Sequence, residues 1–105
     1  LLELLSYPGW NITLCRYPGW EPNMDSPLTK DVVEAYKVVC GKDPRVYAIH
    51  AGLECSLFMT KFEHLDCTSI GPTVEHPHSP QERLEIETVP RFYKVVVYAL
   101  EKLAA

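Results

Sequence analysis

Strand-like and helix-like periods take turns along this chain, and that alternation narrows the possible folds more than any single residue does. In "WNITLCRY" (10–17), Trp10, Ile12 and Leu14 alternate with Asn11, Thr13 and Cys15, the period of two that a pleated strand needs. "PGWEPNMDSP" then enforces a loop with three prolines and a glycine. Ser26 is placed to cap a helix, and Pro27 suits its first position, where an amide N–H would lack a partner anyway. Leu28, Val32, Tyr36 and Val39 follow on one face, and Gly41 marks the stop. "RVYAIHAG" (45–52) reads as a buried strand, Leu53, Leu57 and Phe58 as a short helical face, and "CTSIGP" (67–72) as another short strand. "SPQE" (79–82) has the form of a capping box, with Ser79 capping, Pro80 opening the turn and Glu82 reaching back. A last helix is predicted over about 88–103, with Val89, Phe92, Tyr93, Val96, Leu100 and Leu103 on its buried side.

The order β-α-β-α-β-α predicts an α/β fold: a small, mostly parallel sheet flanked by helices, in one domain over 1–105. In such sheets ligands gather beyond the carboxyl ends of the strands. "HAGLEC" and "GPTVEHPHSP" are both expected there, close together if their strands are neighbours.

Bulk properties exclude several classes of function. The net charge of −4, with no basic stripe, argues against nucleic acid or an anionic membrane surface as partner. No apolar run approaches the roughly 20 residues that span a bilayer. The opening "LLELL" lacks the basic start of a signal peptide. Cys15, Cys40, Cys55 and Cys67 form no C-x-x-C pair and read as small buried hydrophobes, which suits a cytoplasmic location. There is no G-x-S-x-G elbow, phosphate-binding glycine loop or H-E-x-x-H helix. The absence of an initial Met and the repeat of "YPGW" at 7–10 and 17–20 suggest a piece of something longer.

The histidines are the remaining chemistry. His76 and His78 stand two apart around Pro77, and in extended chain they point the same way. Neutral imidazole is a good zinc ligand. Spacing leaves metal ligation and a solvated loop both open, the solvated loop being the simpler account. His50 and Glu54 flank a strand-to-helix turn, where the acid is already favoured by the helix dipole. A catalytic role there needs a polar-lined cleft. His64 belongs to a polar turn.

Three blocks in this order, "YPGWEPNMDSPL" (17–28), "IHAGLECSLF" (49–58) and "IGPTVEHPHSPQERLEIETVPRFYKVV" (70–96), resemble the C-terminal part of the aminoacyl-histidine (Xaa-His) dipeptidases, a branch of the M20 metallopeptidase clan. The resemblance runs from residue 17 almost to the end. It implies a zinc peptidase catalytic domain with two zinc ions, a metal-bridged water as attacking group and a glutamate as general base. Most metal ligands, that glutamate and a lid domain would lie outside this chain, in the missing N-terminal half. His78 matches the family's one late zinc-ligand histidine, with Ser79 and Glu82 supporting its turn, and His50 and Glu54 fall beside the substrate pocket. The parent would hydrolyse Xaa-His and other dipeptides and could be a homodimer, while this chain alone would be inactive. The sequence departs from the family at His76 and Pro77, which replace small residues, at Gln81 for an aspartate, and at Ser56 for a glycine. The first "YPGW" has no counterpart. Two other readings remain at this level: a non-catalytic α/β binding module, and a family member that has lost activity.

Overall fold

A computed structural model describes residues 18–49 and 52–105. Three helices and one short hairpin make up the regular structure: α1 (Pro27–Cys40), α2 (Glu54–Lys61), β1 (Val74–Glu75), β2 (Arg83–Leu84) and α3 (Thr88–Ala104).

Helix α1 forms where its local signals place it. The Ser26 hydroxyl accepts a hydrogen bond from the Thr29 amide at 2.9 Å, and Pro27 occupies the first turn. At the other end Gly41 turns left-handed, with φ 68°, and its N–H donates to the Lys37 carbonyl at 2.8 Å. A side chain disfavours that conformation, so glycine ends the helix at low cost. A distant residue completes the N-terminus. The Asp66 carboxylate accepts from the Ser26 hydroxyl at 2.8 Å and from the Leu28 amide at 3.2 Å. The chain leaving α2 is thereby clasped to the start of α1.

The core lies between α1 and α3. Val32 and Ala35 meet Val95 and Ala99, with Leu28, Tyr36, Val39, Cys40 and Tyr98 packed around them. Ala35 is fully buried. Small residues at the crossing let the two backbones approach closely. Lys102, on the last turn of α3, bonds Asp31 at 2.9 Å and also Glu34, both on α1. The bond to Glu34, then that to Asp31, holds the ammonium pKa above its usual value.

Every residue expected on the buried side of α1 packs in or against this core. Helix α3 has the expected bounds within a residue but presents a different face. Val95 and Ala99 are buried, whereas Val89, Tyr93, Leu100 and Leu103 are exposed. Two apolar stripes run along α3, and the small Ala99 selects the one that fits against Ala35. The other, Val89–Tyr93–Val96–Leu100–Leu103, keeps the helical spacing of four and three but remains largely open.

The sheet also departs from expectation. The strand expected at 10–17 lies outside the described residues. Residues 45–49 and 67–72 run without regular structure and form no strand. The pairing among the described residues is antiparallel, Val74 opposite Leu84 and Glu75 opposite Arg83, with an ion pair between the latter two. A strand exists only with a partner across its hydrogen-bonding edge, and Arg45–Ile49 has none within the described residues. Val46, Tyr47 and Ile49 are exposed there, as are Leu57 and Phe58 of the face expected on α2.

Candidate functional site

The loop between β1 and β2 carries His76 and His78, so the hairpin sets where both imidazoles stand. Thr88 anchors the hairpin: its buried hydroxyl accepts from the Thr73 amide at 2.9 Å and donates to the Glu85 carbonyl at 2.7 Å. The base of the hairpin is thus bonded to the first residue of α3, which is packed on α1.

Within the loop, His76 has φ 51° and His78 has φ 61°. Both are left-handed conformations that side chains rarely adopt, each costing about 1 kcal/mol or more. The extended geometry expected for the pair therefore does not hold. The histidines lie in a tight reversal, and the identical orientation expected in an extended segment has no basis here.

Hydrogen bonds sustain that strained path. The Glu82 carboxylate accepts from the His78 amide at 2.7 Å, and the Glu82 amide donates to the Ser79 carbonyl at 3.0 Å. The Ser79 hydroxyl donates to the His76 carbonyl at 2.8 Å and accepts from the Gln81 amide at 3.2 Å. The Ser-x-x-Glu pattern is a turn lock, in place of the expected helix cap: no helix follows, and Glu82 reaches the amide of His78 instead of that of Ser79. His76, His78 and Glu82 are exposed, and Ser79 is half-buried.

The second expected tip is less complete. His50 lies outside the described residues. Glu54 is exposed in the first turn of α2, where its charge complements the helix dipole. Ser56 is buried, and its hydroxyl donates to the Leu53 carbonyl at 2.6 Å. Helix α2 packs on neither strand of the hairpin nor on another helix. The expected closeness of the "HAGLEC" and "GPTVEHPHSP" tips is therefore not built by these elements. His64, after α2, is exposed with φ 68°.

Two depressions border the core, and neither is lined by His78. One, of about 230 Å³, lies between Tyr36, Arg45, Thr73, Thr88 and Phe92. The other is an open groove of about 610 Å³, mostly apolar, between Trp20, Val32, Tyr47, Ile49 and Ile70. Sequence reasoning missed Asp66 and Thr88, the residues that tie the loops to the core. Their partners lie 38 and 15 positions away, too far for a local pattern to register.

As a donor set, the loop fits one position of a metal centre. His78 offers an accessible imidazole on a backbone fixed by its own amide. Among the described residues, no three His, Cys, Asp or Glu side chains converge as a metal site would require. A catalytic zinc takes three protein ligands and keeps one position open. The loop could contribute one ligand to a centre, and the described residues supply no further donors for it.

The chain is similar to known proteins. Over 89 residues the chain is 42% identical to the cytosol non-specific dipeptidase of Escherichia coli (strain K12), a match covering 85% of this chain and 18% of that protein. The crystal structure of aminoacylhistidine dipeptidase from Vibrio alginolyticus matches the fold with a TM-score of 0.73 at 42% sequence identity, covering 82% of this chain and 18% of that one. No protein-family model matches the chain. The chain thus spans about 18% of the length of the relatives it matches.

Proposed function

We propose, for a chain that belongs to the aminoacyl-histidine dipeptidase family over the segment it spans, that it is the C-terminal part of the catalytic domain of a zinc-dependent dipeptidase. The observation that carries this reading is 42% identity to two dipeptidases across most of the described chain. The parent hydrolyses Xaa-His and related dipeptides in the cytoplasm. No described helix is long and apolar enough to cross a membrane.

In this reading His78 is the zinc ligand the segment contributes. Ser79 and Glu82 are positioning residues, since their hydrogen bonds set the backbone from which the imidazole projects. Preorganised backbone of this kind raises ligand affinity by removing conformational freedom before the metal arrives. Bound zinc supplies Lewis-acid polarisation of the scissile carbonyl and activation of water. Glu54 borders the substrate pocket in this reading, and His50 remains a candidate for it by the resemblance alone. The glutamate general base, the remaining ligands and a lid domain belong to the missing N-terminal half of the parent.

The same reading accounts for the uncovered surface. The second stripe of α3, the segment 45–49 and the outer face of α2 are the sides that the remainder of the catalytic domain covers. The mostly parallel sheet expected from the strand order would form there, with Arg45–Ile49 acquiring its partner strands. Alone, the 105 residues hold zinc weakly and hydrolyse nothing.

The test is His78→Ala in the full-length parent. Removing a direct ligand costs at least the ~100-fold associated with losing a residue that merely orients one. Dipeptidase activity is expected to fall by that factor or more, with bound zinc dropping below two per subunit. Full activity with both zinc ions retained would make the ligand assignment wrong.

A further inference from the structure

Two arginines that the dipeptidase reading leaves without a role border one small cavity. Arg45 opens the segment 45–49 and Arg91 is the fourth residue of α3, and both line the depression of about 230 Å³ beside the core. The third arginine among the described residues, Arg83, pairs with Glu75. Arg45 and Arg91 make no ion pair with any described residue. No aspartate or glutamate lines the cavity, although the chain carries 14 acids against 10 lysines and arginines. The cavity is thus a positive spot on an acidic chain.

The rest of the lining decides what fits there. Ile70, Pro72, Phe92 and Val95 supply an apolar wall. The Thr88 hydroxyl is already bonded on both sides, to the Thr73 amide and the Glu85 carbonyl. An anion therefore finds its charged donors in the two guanidiniums alone. A guanidinium fork matches the two oxygens of a carboxylate. A phosphate has further oxygens, which the apolar wall would strip of water without replacing the hydrogen bonds.

We propose that the cavity binds a small organic monocarboxylate bearing one aromatic or branched apolar group, its carboxylate between Arg45 and Arg91 and its apolar body against Ile70, Phe92 and Val95. A space of this size suits a ligand smaller than a drug-sized molecule. The assignment rests neither on zinc nor on the dipeptidase reading, because His78 does not line the cavity. Its position matters for the loop nonetheless. Thr73 and Thr88 line the cavity too, and the bond between them fastens the base of the hairpin to α3. A bound carboxylate packs over that bond and resists its opening.

Phenylacetate is the probe, titrated into the full chain of 105 residues and followed by amide resonances. Saturating shifts are expected at Thr73, Thr88, Arg91 and Phe92, with a Kd on the order of 1 mM for a ligand of this size. Phenylacetamide, which has the ring without the charge, should bind about tenfold more weakly or worse, as should acetate, which has the charge without the ring. Arg45 and Arg91 are both exposed, so Arg45→Gln and Arg91→Gln should leave the thermal transition unchanged. Each should weaken phenylacetate about tenfold. The phenylacetamide comparison needs no substitution and stands even where a variant loses its fold. At ten times the Kd, the amides of Thr73 and Glu85, which hold the hairpin base, should exchange about tenfold more slowly. Absence of saturating shifts, equal binding of phenylacetamide, or inorganic phosphate binding as tightly as phenylacetate would each overturn the proposal. So would indifference to both arginine substitutions, or unchanged exchange at Thr73.

Discussion

Helices α1 and α3 and the segment 45–62 are both rich in large apolar residues, yet one pair is packed and the other region lies open. In the first, Val32 and Ala35 meet Val95 and Ala99, and a lysine on one helix bonds two acids on the other. In the second, Val46, Tyr47, Ile49, Leu57, Phe58 and Phe62 are all exposed. The difference lies in partners, because hydrophobicity is similar in the two. Burial stabilises only where a complementary face is at hand, and for 45–62 the described residues supply none. The packed pair therefore holds the described structure together, and the open region does not contribute to that core.

Substitutions that break this contrast should have unequal effects. The largest is expected for Ala35→Asp, which places a charge at the fully buried helix crossing. Breaking the core this way costs several kcal/mol, enough to abolish the cooperative thermal transition followed by circular dichroism. Phe58→Asp, at a side chain 55% exposed, should shift stability by less than about 0.5 kcal/mol. Equal damage from both would erase the distinction between the two regions.

Next in size is Asp66→Ala. It removes the acceptor for the Ser26 hydroxyl and the Leu28 amide. A loss of about 1–2 kcal/mol is expected, visible as a lower denaturant midpoint together with faster amide exchange in the first turn of α1. A change confined to 65–70 would show that the clasp does not serve α1.

The smallest effect concerns Lys102, whose pKa is raised in the folded chain by Glu34 and Asp31. A raised folded value means that its contribution is complete below the unfolded lysine value of about 10.4 and disappears as pH rises through the folded value. The side chain is 35% exposed, so the effect is a modest shift in Tm. Lys102→Met should lower Tm at pH 7 and make no difference at a pH well above the folded value. A deficit that persists there would mean that Lys102 acts through packing.

How far the sequence reading reached follows the same division between local and distant causes. Helix α1 was legible because Ser26, Pro27 and Gly41 act within a turn of themselves. The length of α3 was legible, but its inward face was not. Two apolar stripes compete on it, and the choice depends on Ala99 meeting Ala35 across 64 positions. The strands expected at 45–52 and 67–72 illustrate the converse. Their composition favours extended chain, but pairing requires an edge that the described residues do not supply. Ser79 and Glu82 hydrogen-bond within the turn, in a form other than the capping box expected. The Ser-x-x-Glu pattern is shared by helix caps and tight turns, and the following β2 decides between them. The left-handed backbone at His76 and His78 had no sequence signal, since neither position is glycine.

The central claim is that this chain holds one share of a metal centre, fixed at His78, whose completion lies in the remainder of the parent. Calorimetric zinc titration tests it most directly, comparing the 105-residue chain alone with the full-length parent. Weak, non-saturating heats are expected for the chain and two tight sites per subunit for the parent, with one site lost in the His78→Ala parent. A tight, stoichiometric isotherm from the chain alone would contradict it.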